Sequence, residues 1–191
     1  MFKRRQKKIA KIAKAIGWQF QLQHQFTSLQ ELPEGDEINV LKGEIEGIPA
    51  RIFDLPRKII LGPGRQNPLI LTTPETMLVI MFPSGKIPTF TLRPKALGDN
   101  FIKSYIVNKN YIVNGRQREK LLELFNHKNL AHYSQTKELH IHAERNKIRV
   151  QFNPHNFLPA EKECYIDLIA EGEFITKLVK TYLDIALAYQ P

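Results

Sequence analysis

The chain has 191 residues, of which 42% are hydrophobic and 25% charged, and it contains a single cysteine. This composition is typical of a globular protein and excludes a disordered or fibrous chain. One cysteine excludes a disulfide-stapled fold and a cysteine-rich zinc module. Because a chain of this length buries about 70% of its unfolded surface, we expect a single domain over residues 1–191.

The positive charge is concentrated at the amino-terminal end of the sequence. Seven of the 28 lysines and arginines lie between Lys3 and Lys14, before the first acidic residue, Glu31. The rest of the chain has 21 basic and 19 acidic residues, so most of the net charge of +9 belongs to this one segment. A nucleic-acid-binding domain usually spreads its basic residues over one face of the whole fold, and this chain does not.

The basic segment predicts an amphipathic helix over residues 1–17. At about 100° per residue its apolar residues share one arc, on which Arg5 is the one basic intruder. Gly17 is a typical helix stop, and the alternation of Trp18, Phe20 and Leu22 with glutamines then indicates a strand. The residues expected to bind an anionic partner are Lys3, Arg4, Lys7, Lys8, Lys11 and Lys14.

Three interpretations of this helix stay open. Its isoleucines could pack on the core and leave the lysines as a solvated face. It could attach to an anionic membrane surface, or it could contact the phosphates of a nucleic acid. A secretory signal needs an uninterrupted apolar core, and the lysines through Lys14 interrupt it. The sequence also has no run of 18 apolar residues that could form a transmembrane span. We therefore expect a cytoplasmic protein, with peripheral membrane contact as one of the options.

Hairpin patterns dominate the rest of the chain. Residues 37–54 predict two strands around a Glu46-Gly47 turn, with Ile45 opposite Ile48 and Leu41 opposite Ile52. Residues 58–61 and 69–73 indicate a second hairpin, and residues 76–82 a central strand buried on both faces. Residues 138–152 alternate most regularly and indicate a hairpin turning at Arg145-Asn146.

Helical patterns are fewer. We expect one or two short mid-chain helices, at residues 116–125 and around Leu130 and Tyr133, and a long C-terminal helix over about residues 159–189. Hairpins bracketed by helices, without alternation of strand and helix, predict an α+β domain with a mainly antiparallel sheet.

Candidate catalytic and metal-binding residues are sparse. His140 and His142 lie two apart on a strand, a spacing that could bind zinc. The expected hairpin register, however, places His142 opposite Arg149, which argues against a cation there, so no metal site and no cofactor are predicted. Cys164 near a helix start is a second candidate, and a buried inert thiol is the simpler interpretation.

Several short motifs resemble a family of uncharacterised bacterial proteins. The motifs are Asn39-x-Leu41-x-Gly43-x-x-x-Gly47 leading to Phe53-Asp54, then Pro88-x-Phe90-x-Leu92-Arg93-Pro94, then Tyr111-x-Val113-x-Gly115 leading to Leu124-Phe125. They cover most of the chain in order. The resemblance implies one domain and no activity, because that family has none established.

The function predicted from these observations is non-enzymatic. We expect a binding or scaffold protein whose basic helix contacts an acidic protein surface or anionic lipid. The alternative is a nucleic-acid-binding protein, and a third hypothesis is a metal-dependent or thiol enzyme.

Overall fold

In its described residues, the chain forms one antiparallel sheet of nine strands with two helices. The computed structural model describes residues 2–22, 36–61, 64, 69–82, 89–95, 105–108, 111–115, 137–154 and 168–187. The elements in chain order are α1 (Phe2–Ile16), β1 (Gln19–Gln21), β2 (Ile38–Ile45), β3 (Ile48–Leu61), β4 (Leu69–Met81), β5 (Phe90–Pro94), β6 (Tyr105–Asn108), β7 (Tyr111–Gly115), β8 (Lys137–Glu144), β9 (Lys147–Pro154) and α2 (Leu168–Leu187). The strand order is β1-β2-β3-β4-β9-β8-β5-β7-β6.

The predicted fold class is wrong. Most of the described residues lie in the strands of the sheet, so the fold is mainly β and not α+β with a long C-terminal helix. The described C-terminal helix is α2, which has 20 residues. The expected mid-chain helices lie outside the described residues. The antiparallel sheet itself was predicted, and the error lies in the weight given to the helices, because the hairpins join into one large sheet, as β4 does with β9.

The hairpin registers predicted from the sequence are confirmed. Ile45 pairs with Ile48 and Leu41 with Ile52 across β2 and β3. The turn between these strands has positive φ at Glu46 (53°) and Gly47 (74°), as a two-residue hairpin requires. Across β8 and β9, Glu144 pairs with Lys147, His142 with Arg149 and His140 with Gln151.

Strands β3 and β4 form the longest hairpin and pass through two prolines without a break. The pairing runs from Ala50↔Ile80 to Leu61↔Leu69, and Pro56 stands opposite Pro74. The sequence had suggested two separate strands on each side. Proline is tolerated in a sheet where no neighbouring strand needs its missing N–H. In the described residues neither β2 nor β9 pairs at this level, since their last partners are Asp54 and Thr76.

Both helices pack on the same face of the sheet. Ile9 and Ala13 of α1 and Ile175, Leu178 and Val179 of α2 join one core with inward residues of the strands. Adjacent strand residues point to opposite faces, and Val40, Phe53 and Val79 accordingly form a second buried cluster on the other side. Leu78, Val79 and Ile80 of β4 are therefore buried on both faces of the sheet, as predicted for the central strand at residues 76–82, whereas Met81 is exposed.

The amino-terminal helix ends as the sequence indicates. Gly17 has a φ of 73°, and the Trp18 N–H donates to the carbonyl of Ala13 at 2.8 Å. This bond, from the second residue beyond the helix to its last turn, is the Schellman cap that glycine permits. None of the helices in the described ranges combines the length and apolar content needed to cross a bilayer.

Candidate functional site

The basic helix α1 presents its two sides to different surroundings. Ile9, Ile12 and Ala13 are buried, and Ile9 and Ala13 belong to the core shared with the strands. Where the structure describes the burial of α1 residues, the exposed ones are Lys7, Lys11, Lys14 and Ala15, and Lys8 is half-buried. Lys3 and Arg4 belong to the helix, but their side chains lie outside the described part. The spacing of four and then three residues places the three exposed lysines on one stripe, hereafter the lysine stripe.

Arg5 and Asp54 form an ion pair buried between α1 and β3. Arg5 Nε donates to Asp54 Oδ2 at 2.7 Å, and Arg5 Nη2 donates to Asp54 Oδ1 at 2.6 Å. Arg5 is 3% exposed and Asp54 is 1% exposed. The planar guanidinium matches the carboxylate in this two-point geometry, which fixes the position of the helix as well as its charge.

Two further side chains complete this buried cluster. The Thr76 hydroxyl donates to Asp54 Oδ1 at 3.0 Å and accepts from Arg5 Nη2 at 2.5 Å. Asn39 Nδ2 donates to Asp54 Oδ2 at 2.9 Å. Each oxygen of Asp54 thus accepts two hydrogen bonds, as a buried carboxylate needs. Through these four hydrogen bonds the carboxylate links α1 to β2 and β4.

A bulge in β2 aims Asn39 at the cluster. Ile38 pairs with Asp54 and Leu41 with Ile52, so β2 contains one residue more than β3 over this stretch. Asn39 has a φ of 53°, a left-handed conformation that asparagine tolerates better than most residues. Its Oδ1 atom is buried and accepts no hydrogen bond from the described residues.

The buried cluster lies where the long β3–β4 hairpin leaves the sheet. Asp54 pairs with Thr76, and these two residues are also the last partners of β2 and β9 along the hairpin. Residues 55–61 and 69–75 continue as a two-stranded ribbon, hereafter the arm. In the described residues no third strand pairs with the arm. The first turns of α1 are therefore fixed to the root of the arm through Arg5.

Several motif residues have structural roles. A Cβ atom on Gly43 would overlap the indole ring of Trp18, which packs over this position. Gly115 has a φ of 143°, and a Cβ there would lie 2.5 Å from the carbonyl oxygen of Thr89. The Tyr111 hydroxyl accepts a hydrogen bond from the Leu139 N–H at 3.2 Å. Together with Asn39 and Asp54, these residues hold the fold together.

The candidate histidines lie on the sheet face opposite the helices. His142 Nε2 is 3.4 Å from Glu144 Oε2, and this hydrogen bond is the main reason that the pKa of Glu144 lies below its ordinary value. Within the described ranges, no group of three or more histidine, cysteine, aspartate and glutamate side chains could hold a metal ion. Cys164 and His155 lie outside those ranges.

The buried cluster was missed by reasoning from the sequence. One signal was available, because Arg5 is the basic residue that falls on the apolar side of the helix. A buried arginine requires a carboxylate partner, but the sequence does not say which of 19 acidic residues supplies it.

Comparison with known proteins adds information about the fold. No protein-family model matches the chain, and no curated protein matches it significantly. Among solved structures, it is similar to the crystal structure of the mycobacterial trehalose monomycolate transport factor A, with a TM-score of 0.51 and 14% sequence identity. The similarity covers 97% of this chain and 96% of that one. At this identity it shows a shared fold and nothing narrower.

Proposed function

We propose that this protein is a non-enzymatic binding or scaffold protein that docks on an anionic membrane surface through the lysine stripe of α1. The observation that carries the proposal is the division of α1 into a buried apolar side and an exposed basic side. Since the isoleucines are used in the core, α1 cannot also insert them into a bilayer without leaving the fold. The stripe of Lys7, Lys11 and Lys14 therefore acts by charge alone.

A lipid surface suits this stripe better than a folded protein does. Specific protein interfaces depend on buried aromatic or apolar anchors at their centre. Beside the lysines, the exposed residue of α1 in its described part is Ala15, which is too small to serve as an anchor. A charged membrane needs no such anchor, because its attraction for lysine depends on charge density and distance. The role named for the structural neighbour, a transport factor, agrees with a non-enzymatic function.

The expected attachment is weak and sensitive to salt. Each lysine close to an anionic leaflet contributes about 1 kcal/mol, so three lysines contribute about 3 kcal/mol. Because the Debye length shortens from about 10 Å at 0.1 M salt to about 3 Å at 1 M, high salt should abolish this contribution. Reversible recruitment is the consequence.

Vesicle co-sedimentation tests the proposal. The triple variant Lys7→Gln, Lys11→Gln, Lys14→Gln should bind phosphatidylserine-containing vesicles about 100-fold more weakly than the unchanged protein. The matched control is Lys42→Gln, Arg149→Gln, Lys177→Gln, which removes the same charge at exposed positions off α1. Unchanged vesicle binding by the α1 variant would contradict the proposal. Loss of binding to a single-stranded oligonucleotide or to polyglutamate, with vesicles unaffected, would favour a nucleic acid or an acidic protein instead.

A further inference from the structure

The arm of the β3–β4 hairpin is a second, independent feature that no part of the buried core explains. Beyond the facing prolines, five residue pairs continue outward, from Arg57↔Thr73 to Leu61↔Leu69. At about 3.4 Å per residue these pairs extend roughly 17 Å from the prolines. The backbone thus projects a ribbon well past the level at which β2 and β9 stop pairing.

The apolar residues of the arm are concentrated at its outer end. The three outermost pairs, Ile59↔Leu71, Ile60↔Ile70 and Leu61↔Leu69, consist of apolar residues. Successive residues of a strand belong to opposite faces, so the outer part of the ribbon carries apolar residues on both faces. A strand that covers a core on one face only would instead alternate apolar with polar residues.

The charge of the arm has one sign. Arg57 and Lys58 directly precede the apolar pairs. No acidic residue occurs between Asp54 and Glu75. An apolar end with basic residues just behind it is the chemistry that suits the boundary between the headgroups and acyl chains of an anionic membrane.

We infer that the arm inserts its apolar end into the interface of an anionic lipid bilayer and provides the hydrophobic part of the attachment. The inference rests on the proposed membrane docking and extends it, since stable anchoring usually combines an apolar insertion with a basic patch. The Arg5–Asp54 contact brings both parts together, because it fixes the start of α1 at the root of the arm.

The depth of insertion is limited by the backbone. In the described residues the outer edges of the arm have no strand partner, and unpaired N–H and C=O groups are not tolerated in the hydrocarbon centre. The end of the arm therefore stays within about 10 Å of the headgroups, where water satisfies these groups. At that depth Lys58 and Arg57, three and four residues or about 10 and 14 Å behind Leu61, lie at the level of the lipid phosphates.

A second copy of the chain is a poorer occupant of this surface. Two arms placed side by side would bring like charges together at Arg57 and Lys58, which opposes association. Anionic lipid has the opposite charge. Charge complementarity thus favours the bilayer.

The test compares binding to phosphatidylcholine vesicles with and without phosphatidylserine. The arm variant Ile59→Thr, Ile60→Thr, Ile70→Thr keeps β-forming residues and removes apolar surface, so binding to both vesicle types should fall by about tenfold or more. The control Leu22→Thr, Met81→Thr makes the same kind of change at two exposed apolar residues off the arm and should leave binding unchanged. Circular dichroism and Trp18 fluorescence establish that each variant is folded.

Insertion depth gives a readout that does not depend on the threonine variants. A tryptophan introduced by Leu61→Trp should be quenched by lipids brominated near the headgroup, and less by lipids brominated near the chain end. Absence of quenching by either lipid would overturn the inference.

The experiments distinguish the role of the arm from the role of the lysine stripe. If the arm variant binds normally while the lysine variant of α1 does not, the inference falls and the proposed function stands. If the lysine variant binds normally while the arm variant does not, the inference holds and the docking role of the stripe falls. An arm variant that changes the oligomeric state in gel filtration, with vesicle binding intact, would identify a second copy as the occupant and overturn the inference.

Discussion

Removing either partner of the buried Arg5–Asp54 pair should strongly destabilise the fold. In Arg5→Met the carboxylate of Asp54 keeps its bonds from Asn39 and Thr76 but loses the charge of Arg5, and in Asp54→Asn the guanidinium loses the charge of Asp54. Because the two residues are 3% and 1% exposed, water does not reach them to compensate. Breaking a buried pair in this way costs about 3–5 kcal/mol, a third or more of the stability of many domains.

Urea unfolding measures this cost with a built-in reporter. Trp18 is the one tryptophan of the chain, and it packs over Gly43 just after α1, so its fluorescence follows the docking of the helix. Far-UV circular dichroism follows the sheet. The double variant Arg5→Met, Asp54→Leu should recover the part of the loss that comes from the unpaired charge, because neither position is then charged, although Asn39 and Thr76 still lose their acceptor.

An exposed ion pair provides the control. Arg145 Nε is 3.6 Å from Glu144 Oε1, and these side chains are 85% and 43% exposed. Arg145→Met should therefore cost less than about 1 kcal/mol. The reasoning is refuted if Arg5→Met and Asp54→Asn cost no more than this control, or if the effects of Arg5→Met and Asp54→Leu simply add in the double variant.

Two further predictions concern packing and pH. Gly43→Ala should destabilise the fold by about 1–3 kcal/mol, because its Cβ would overlap Trp18. Gly172→Ala, at a helix position with open space around it, should instead stabilise the fold by about 0.5–1 kcal/mol. Urea unfolding of both variants measures these changes, and equal effects would contradict the prediction. The pKa of Glu144 in the folded protein is lowered chiefly by its hydrogen bond with His142. This hydrogen bond therefore stabilises the fold at pH values above the pKa that Glu144 has in the unfolded chain, and the stabilisation is lost as the pH falls through the lower pKa of the folded state. In His142→Ala this pKa should rise toward its ordinary value in an NMR titration of the carboxyl carbon, and an unchanged midpoint would assign the shift to another group.

Much of the local structure was predictable because it depends on neighbouring residues. The period of the apolar residues and Gly17 determined the span of α1, which runs from Phe2 to Ile16. The turn at Glu46-Gly47 and the alternation on either side determined the pairing of β2 with β3. The same logic applies to β8 and β9, where a shift by one residue would turn every side chain to the wrong face.

Other features depend on contacts between distant parts of the chain. The patterns on either side of Pro56 resemble separate strands, and only the pairing with Pro74 joins them into the long hairpin that forms the arm. The order in which the hairpins join into one sheet was likewise unpredictable, since it depends on β4 pairing with β9 across a long stretch of chain.

The sequence alone determined the positive charge of the amino-terminal segment and the helical period that separates its lysines from its isoleucines. It also determined the hairpin registers. The tertiary structure decided what that segment does to the fold. It buried Ile9 and Ile12 of α1, left the lysine stripe exposed, and paired Arg5 with a carboxylate 49 residues away at the root of the arm. Periodicity shows which residues share a face, but the partner of a buried charge is decided by which strands the folded sheet brings beneath the helix.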